Sequence, residues 1–116
     1  MQRRNQYEFD WADLLFYRAI PPEDRARLLG WLERTVRELT AKGVRIFSAG
    51  GALGFDTMAA ETVLRLQREF PDIRLILVLP CRDQTRGWRP ENVARYEYIR
   101  GQADKVIYTS ERYLPD

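Results

Sequence analysis

The chain has 116 residues, of which 45% are hydrophobic and 31% charged, and its formal net charge is +2. This length suits one domain around a single core, and so small a net charge gives no argument by itself for a nucleic-acid partner. Histidine is absent and cysteine occurs once, which excludes histidine-based catalysis or metal ligation, an internal disulfide and a thiolate zinc cluster.

No run approaches the ~18 consecutive apolar residues of a membrane span. The start, MQRRNQYEFD, is basic but has no signal-type apolar segment behind it. With the lone Cys81, this reads as a soluble cytoplasmic domain. The next stretch carries Tyr7, Phe9, Trp11, Leu14, Leu15, Phe16 and Tyr17. Its pattern fits a helix or an irregular arm rather than a strand. Residues 1–20 are therefore expected to form an aromatic arm or helix, ahead of an α/β unit over 21–116.

From Pro22 the sequence predicts a helix. Proline suits the first turn, Glu23 and Asp24 complement the positive end of the helix dipole, and Leu28, Leu32, Val36 and Leu39 form one apolar stripe. Trp31 lies off that stripe. Lys42 followed by Gly43 marks the stop. VRIFSAGG then reads as a strand and DTMAAETVLRLQREF as a helix with Ala59, Val63, Leu66 and Phe70 on one face. The nearly continuous apolar run IRLILVLP, residues 73–80, suits a parallel strand covered on both faces. A third helix over 90–102 and a third strand in DKVIYTS complete the alternation. The expected fold is a three-layer, Rossmann-like parallel sheet with helices on both faces and a reduced number of strands.

In such sheets ligands bind beyond the carboxyl ends of the strands. The loop at the first of those ends is SAGGALGFD, with Gly50, Gly51, Gly54 and Asp56. It matches neither standard phosphate-binding fingerprint. Its physical logic is similar, because a strand ends, glycines remove Cβ obstruction, and a helix begins with outward N–H groups. Two readings stand: a plain strand-to-helix turn, or an anion cradle. Asp56 either caps the helix or accepts hydrogen bonds from ligand hydroxyl or amino groups.

The second loop, PCRDQTRGWRPE, offers Arg82, Gln84, Arg86, Trp88 and Arg89. Arginine forks suit phosphate and Trp88 can stack on a base or close a pocket, while the plain alternative is a solvated loop with a packed tryptophan. Taken with the glycine loop on the same edge, it favours binding. Cys81, without a histidine partner, reads as a structural thiol. Asp104 reads as a turn residue before the last strand, and Glu61 either faces the site or pairs with an arginine. Tyr96 and Tyr98, two apart on a helix, do not share a face.

The motifs G-G-A-L-G-x-D-x-x-A-A-E, L-P-C-x-x-Q-x-x-x-W and A-D-x-V closely resemble those of the YpsA-like branch of the SLOG superfamily, in a match that runs over residues 28–113. SLOG proteins are Rossmann-like relatives of the DNA-processing Smf/DprA domain and of nucleotide phosphoribohydrolases. The resemblance implies a pocket for a nucleotide or nucleotide-derived ligand at Gly50, Gly51, Gly54 and Asp56, with Cys81, Gln84 and Trp88 beside them. It also implies a sensory or regulatory role. The phosphoribohydrolase motif P-G-G-x-G-T-x-x-E is missing, so no catalytic residue, metal or cofactor is assigned and a non-enzymatic protein is expected.

Two departures are visible. The family's opening strand and its T-G-H-R-type turn are not evident, and the segment that normally follows ERY is not present before Asp116. The chain thus reads as a shortened form whose exposed sheet edge suits a partner or a second copy. The alternatives are an interaction module with an incomplete pocket, or an N-glycosidic hydrolase using Glu61 or Asp56. Nucleic-acid binding through the segment Arg82 to Arg100 is a weaker option, marked by steep salt dependence.

Overall fold

A computed structural model describes residues 8–10, 22–50, 54–80 and 84–109. Within them the order is β1 (Glu8–Asp10), α1 (Pro22–Ala41), β2 (Ile46–Ala49), α2 (Phe55–Leu66), β3 (Arg74–Leu79), α3 (Pro90–Gln102) and β4 (Lys105–Tyr108). The four strands form one sheet in the order β1-β2-β3-β4, parallel throughout. The expected α/β class with a parallel sheet is observed.

The sheet has one strand more than the pattern predicted. Glu8, Phe9 and Asp10 lie opposite Ile46, Phe47 and Ser48, inside the segment expected to be a helix or arm. Three residues carry no readable alternation, and the backbone groups of β2 supply the pairing that local sequence does not announce. The rest of that segment, residues 11–20, lies outside the described residues.

α1 buries its predicted stripe, with Leu32 and Val36 fully enclosed and Leu28 and Leu39 packed against the core. Its predicted stop is also present. The Val44 N–H donates to the Leu39 carbonyl at 2.9 Å and the Gly43 N–H to the Thr40 carbonyl at 3.1 Å. Gly43 takes φ 105°, so these bonds form a Schellman ending in which the buried Val44 folds back over the last turn. Arg45 reinforces it by donating to the carbonyls of Thr40 and Val44 at 2.8 and 2.9 Å.

α2 places Ala59, Val63 and Leu66 in the core as expected. It ends at Leu66 rather than running on to Phe70. Pro71 lies just ahead, and Gln67 turns its side chain away to the Ile73 carbonyl and to Asp104. α2 packs on β2 and β3 and touches α1 on one flank and α3 on the other. Phe47, Ala49, Leu75, Leu77 and Leu79 are buried beneath these helices, joined by Tyr96 and Ile99 of α3.

The opposite face of the sheet differs. Along β3 burial alternates, so that Leu75, Leu77 and Leu79 are enclosed while Arg74 and Val78 are exposed. Val78 is 37% exposed and its neighbour Ile107 is 39% exposed. Among the described residues, the three helices therefore cover one face. Consecutive strand order with crossovers of one hand puts successive helices on the same side, which explains the arrangement. The expectation that β3 is covered on both faces holds for one of them. No described helix is long and apolar enough to cross a membrane.

Candidate functional site

β2 delivers Gly50 to the carboxyl edge of the sheet, and α2 starts there with Gly54 as its N-cap. Gly54 adopts φ 91° and ψ −118°, a backbone shape that residues with a Cβ rarely reach. This glycine is therefore required by the turn itself. Because Gly54 occupies the cap, Asp56 stands at the second helical position, and the helix-capping reading of Asp56 falls away. The first helical bond runs from the Met58 N–H to the Gly54 carbonyl at 3.1 Å.

Gly50 has a different role. A Cβ built on it would lie 2.8 Å from Oδ2 of Asp56 and 3.9 Å from the Val78 carbonyl. The Asp56 carboxylate thus occupies space that only a glycine leaves open, directly over the end of β2. Its position in the first turn of α2 also places it at the positive end of that helix. Gly50, Asp56, Thr57, Ala60, Leu77, Tyr96 and Ile99 together line a narrow crevice of about 10 Å³, room for roughly one water.

The second loop contributes by packing. Its Trp88 is half-buried and meets Tyr96 edge to face, with ring centroids 5.5 Å apart and planes at 82°, a favoured aromatic geometry. Trp88 therefore braces Tyr96, which lines the crevice. Gln84 is half-buried at the head of the turn that ends with the Trp88 N–H donating to the Thr85 carbonyl at 2.9 Å. Gly51, Cys81 and Arg82 lie outside the described residues.

Glu61 turns away from the crevice. Both of its carboxylate oxygens accept from Arg95, at 2.7 and 2.5 Å. This contact raises the Arg95 pKa above its ordinary value, chiefly through the hydrogen bond, so the guanidinium stays charged. A carboxylate held this way on two sides is a strut between α2 and α3, the arginine-pairing alternative. Arg89 sits beside Glu91 at 3.9 Å and Arg100 pairs with Glu97, so these two cations are turned to neighbouring glutamates.

The structure thus unites Gly50, Gly54 and Asp56 and places Trp88 one residue removed, behind Tyr96. Sequence reasoning missed Thr57, Ala60, Leu77, Tyr96 and Ile99 as crevice lining. Thr57 alone had a local signal, as the polar neighbour of Asp56 in the first helical turn. Leu77 and Tyr96 reach the site through packing across three elements, which no local pattern encodes. Among the described residues no cluster of three acidic, cysteine or histidine side chains forms a metal site.

Asp104 is not a mere turn residue. Its Oδ2 accepts from the Leu75 N–H and from Gln67 Nε2, each at 2.8 Å, and its own N–H donates to the Leu75 carbonyl at 2.9 Å. It ties the starts of β3 and β4 to the end of α2, at the edge of the sheet opposite the crevice.

Comparison with known proteins agrees with this architecture. The family model YpsA, described as the YspA SLOG family, matches residues 24–115. Proteins described as UPF0398 protein from Bacillus thuringiensis (strain Al Hakam) and from Bacillus cereus (strain Q1) are each 35% identical to this chain over 81 residues. The matched region is 70% of this chain and 44% of each relative, so the chain spans less than half the length of the curated proteins it matches. With a family model covering most of its residues, the chain belongs to the YpsA family of SLOG proteins.

Proposed function

We propose that this domain binds a nucleotide or nucleotide-derived ligand at the carboxyl edge of its sheet, in a sensory or regulatory capacity rather than a catalytic one. The observation that carries the reading is the approach of the Asp56 carboxylate to within 2.8 Å of a Cβ position that Gly50 leaves empty. The strand end, the helix start and an acceptor group are thereby concentrated in one crevice. The positive end of α2 favours a phosphate, and Asp56 suits ribose hydroxyls or a base amino group. Glu61, one of the two alternative acid–base groups for a hydrolase, is engaged by Arg95.

Isothermal titration against a panel of nucleotides and ADP-ribose derivatives tests the proposal. Saturable binding is expected for at least one member. Gly50→Ala, which pushes the Asp56 carboxylate aside, and Asp56→Ala should each weaken that binding at least tenfold, a loss of about 1.4 kcal/mol. A folded protein that binds no member of the panel would overturn the assignment. A second reading, an interaction module, is supported by the exposed Val78 and Ile107 on the sheet face that no described helix covers. Light scattering separates the two, since a stable monomer at all concentrations argues against self-association.

A further inference from the structure

A second surface feature lies away from the crevice, toward the C-terminal halves of α2 and α3. There the two helices leave an open groove of about 510 Å³, and its lining includes Leu64, Arg65, Arg68, Tyr98 and Gln102. The spacing creates it. Glu61 and Arg65 follow one another along one face of α2 with Arg68 in the turn just beyond it, while Arg95, Tyr98 and Gln102 follow one another along α3. The bidentate Glu61–Arg95 pair bridges the helices beside the groove and holds its walls apart.

The side chains of Arg68, Tyr98 and Gln102 engage no partner among the described residues. Tyr98 is 63% exposed, an unusual position for so large an aromatic. Arg65 has only a distant partner, Glu33 at 3.9 Å. Since Glu61 is matched by Arg95, the lining carries excess positive charge from Arg65 and Arg68. Leu64 packs partly into the core and supplies an apolar floor.

We infer that this groove docks an acidic peptide segment of a protein partner, with carboxylates on Arg65 and Arg68 and one apolar side chain between Leu64 and Tyr98. Openness argues against a small molecule, because such sites usually enclose most of their ligand. Charge distribution argues against nucleic acid. A phosphate backbone needs a continuous track of cations, whereas the lining offers two adjacent ones, Arg65 and Arg68, a charge that a pair of carboxylates matches. Arginine and tyrosine are also the residues that most often dominate binding at protein interfaces.

The test is fluorescence anisotropy on the full chain with a labelled peptide of sequence Glu-Leu-Glu-Glu-Leu-Glu. Saturable binding is expected, with a loss of about tenfold for Arg68→Glu and a smaller loss for Tyr98→Ala that Tyr98→Phe restores. Arg27→Glu, on the exposed side of α1, should leave the affinity unchanged. The inference is overturned by an absence of saturable binding, by equal binding of the lysine counterpart of the peptide, or by an equal loss in Arg27→Glu. Stronger binding of an oligothymidylate of matching length would overturn it in favour of nucleic acid.

Discussion

The two ends of the sheet are built on opposite principles. At the carboxyl edge, Gly50 and Gly54 withhold side chains, and the Asp56 carboxylate leans over the space this leaves. At the amino edge, side chains close every gap: Asp104 bonds Leu75 and Gln67, Arg45 caps α1, and Arg74 donates to the carbonyls of Pro71 and Ile73. Among the described residues, glycines shape the first edge and side-chain hydrogen bonds tie the second. Substitutions at one edge therefore need not disturb the other.

The largest effect should come from Gly54→Ala. Forcing a Cβ into φ 91° and ψ −118° should cost about 2–3 kcal/mol. Urea unfolding would show it as a lower midpoint, with or without ligand. An unchanged midpoint would mean that the turn relaxes and that Gly54 is there for a ligand instead.

Next comes Asp104→Ala, which leaves the Leu75 N–H and the Gln67 amide without their acceptor and should cost about 1–2 kcal/mol. Thermal unfolding would register this as a drop of several degrees, while any nucleotide affinity at the opposite edge stays the same. A parallel loss of affinity would show that the two edges are coupled.

The smallest effect involves the exposed Arg37–Glu69 pair, which joins α1 to the turn after α2 and places the Arg37 guanidinium over Phe70. The Arg37 hydrogen bond lowers the Glu69 pKa below its ordinary value of 4.5. A depressed carboxylate pKa adds stability above the unfolded value, and that stability is lost as pH falls through the folded one. Wild type should therefore melt slightly above Glu69→Gln near neutral pH, and the gap should shrink as pH falls below the ordinary value of 4.5. A gap that persists in acid would place the contribution in packing against Phe70 rather than in charge.

Much of the fold was legible in the sequence because its signals are local. The stripe of α1, its stop at Gly43, the apolar face of α2 and the alternation of helix with strand all follow from periodicity and backbone preference within a few residues. β1 was hidden, since a three-residue strand exists only through its pairing with β2. The end of α2 was hidden for a related reason: the side chain of Gln67, its C-cap, meets Asp104, which lies 37 positions further along.

The site divides in the same way. Sequence alone marked Gly50, Gly54 and Asp56, because glycines before a helix start are a local statement about backbone shape. Only the tertiary structure decided that Gly54 serves the turn, that Gly50 makes room for Asp56, and that Trp88 packs edge-on against Tyr96. It also turned Glu61 into a strut and Asp104 into a staple. Hydrophobic period and backbone preference are properties of neighbours in the chain, whereas the role of a polar side chain depends on what the fold brings within about 3 Å of it.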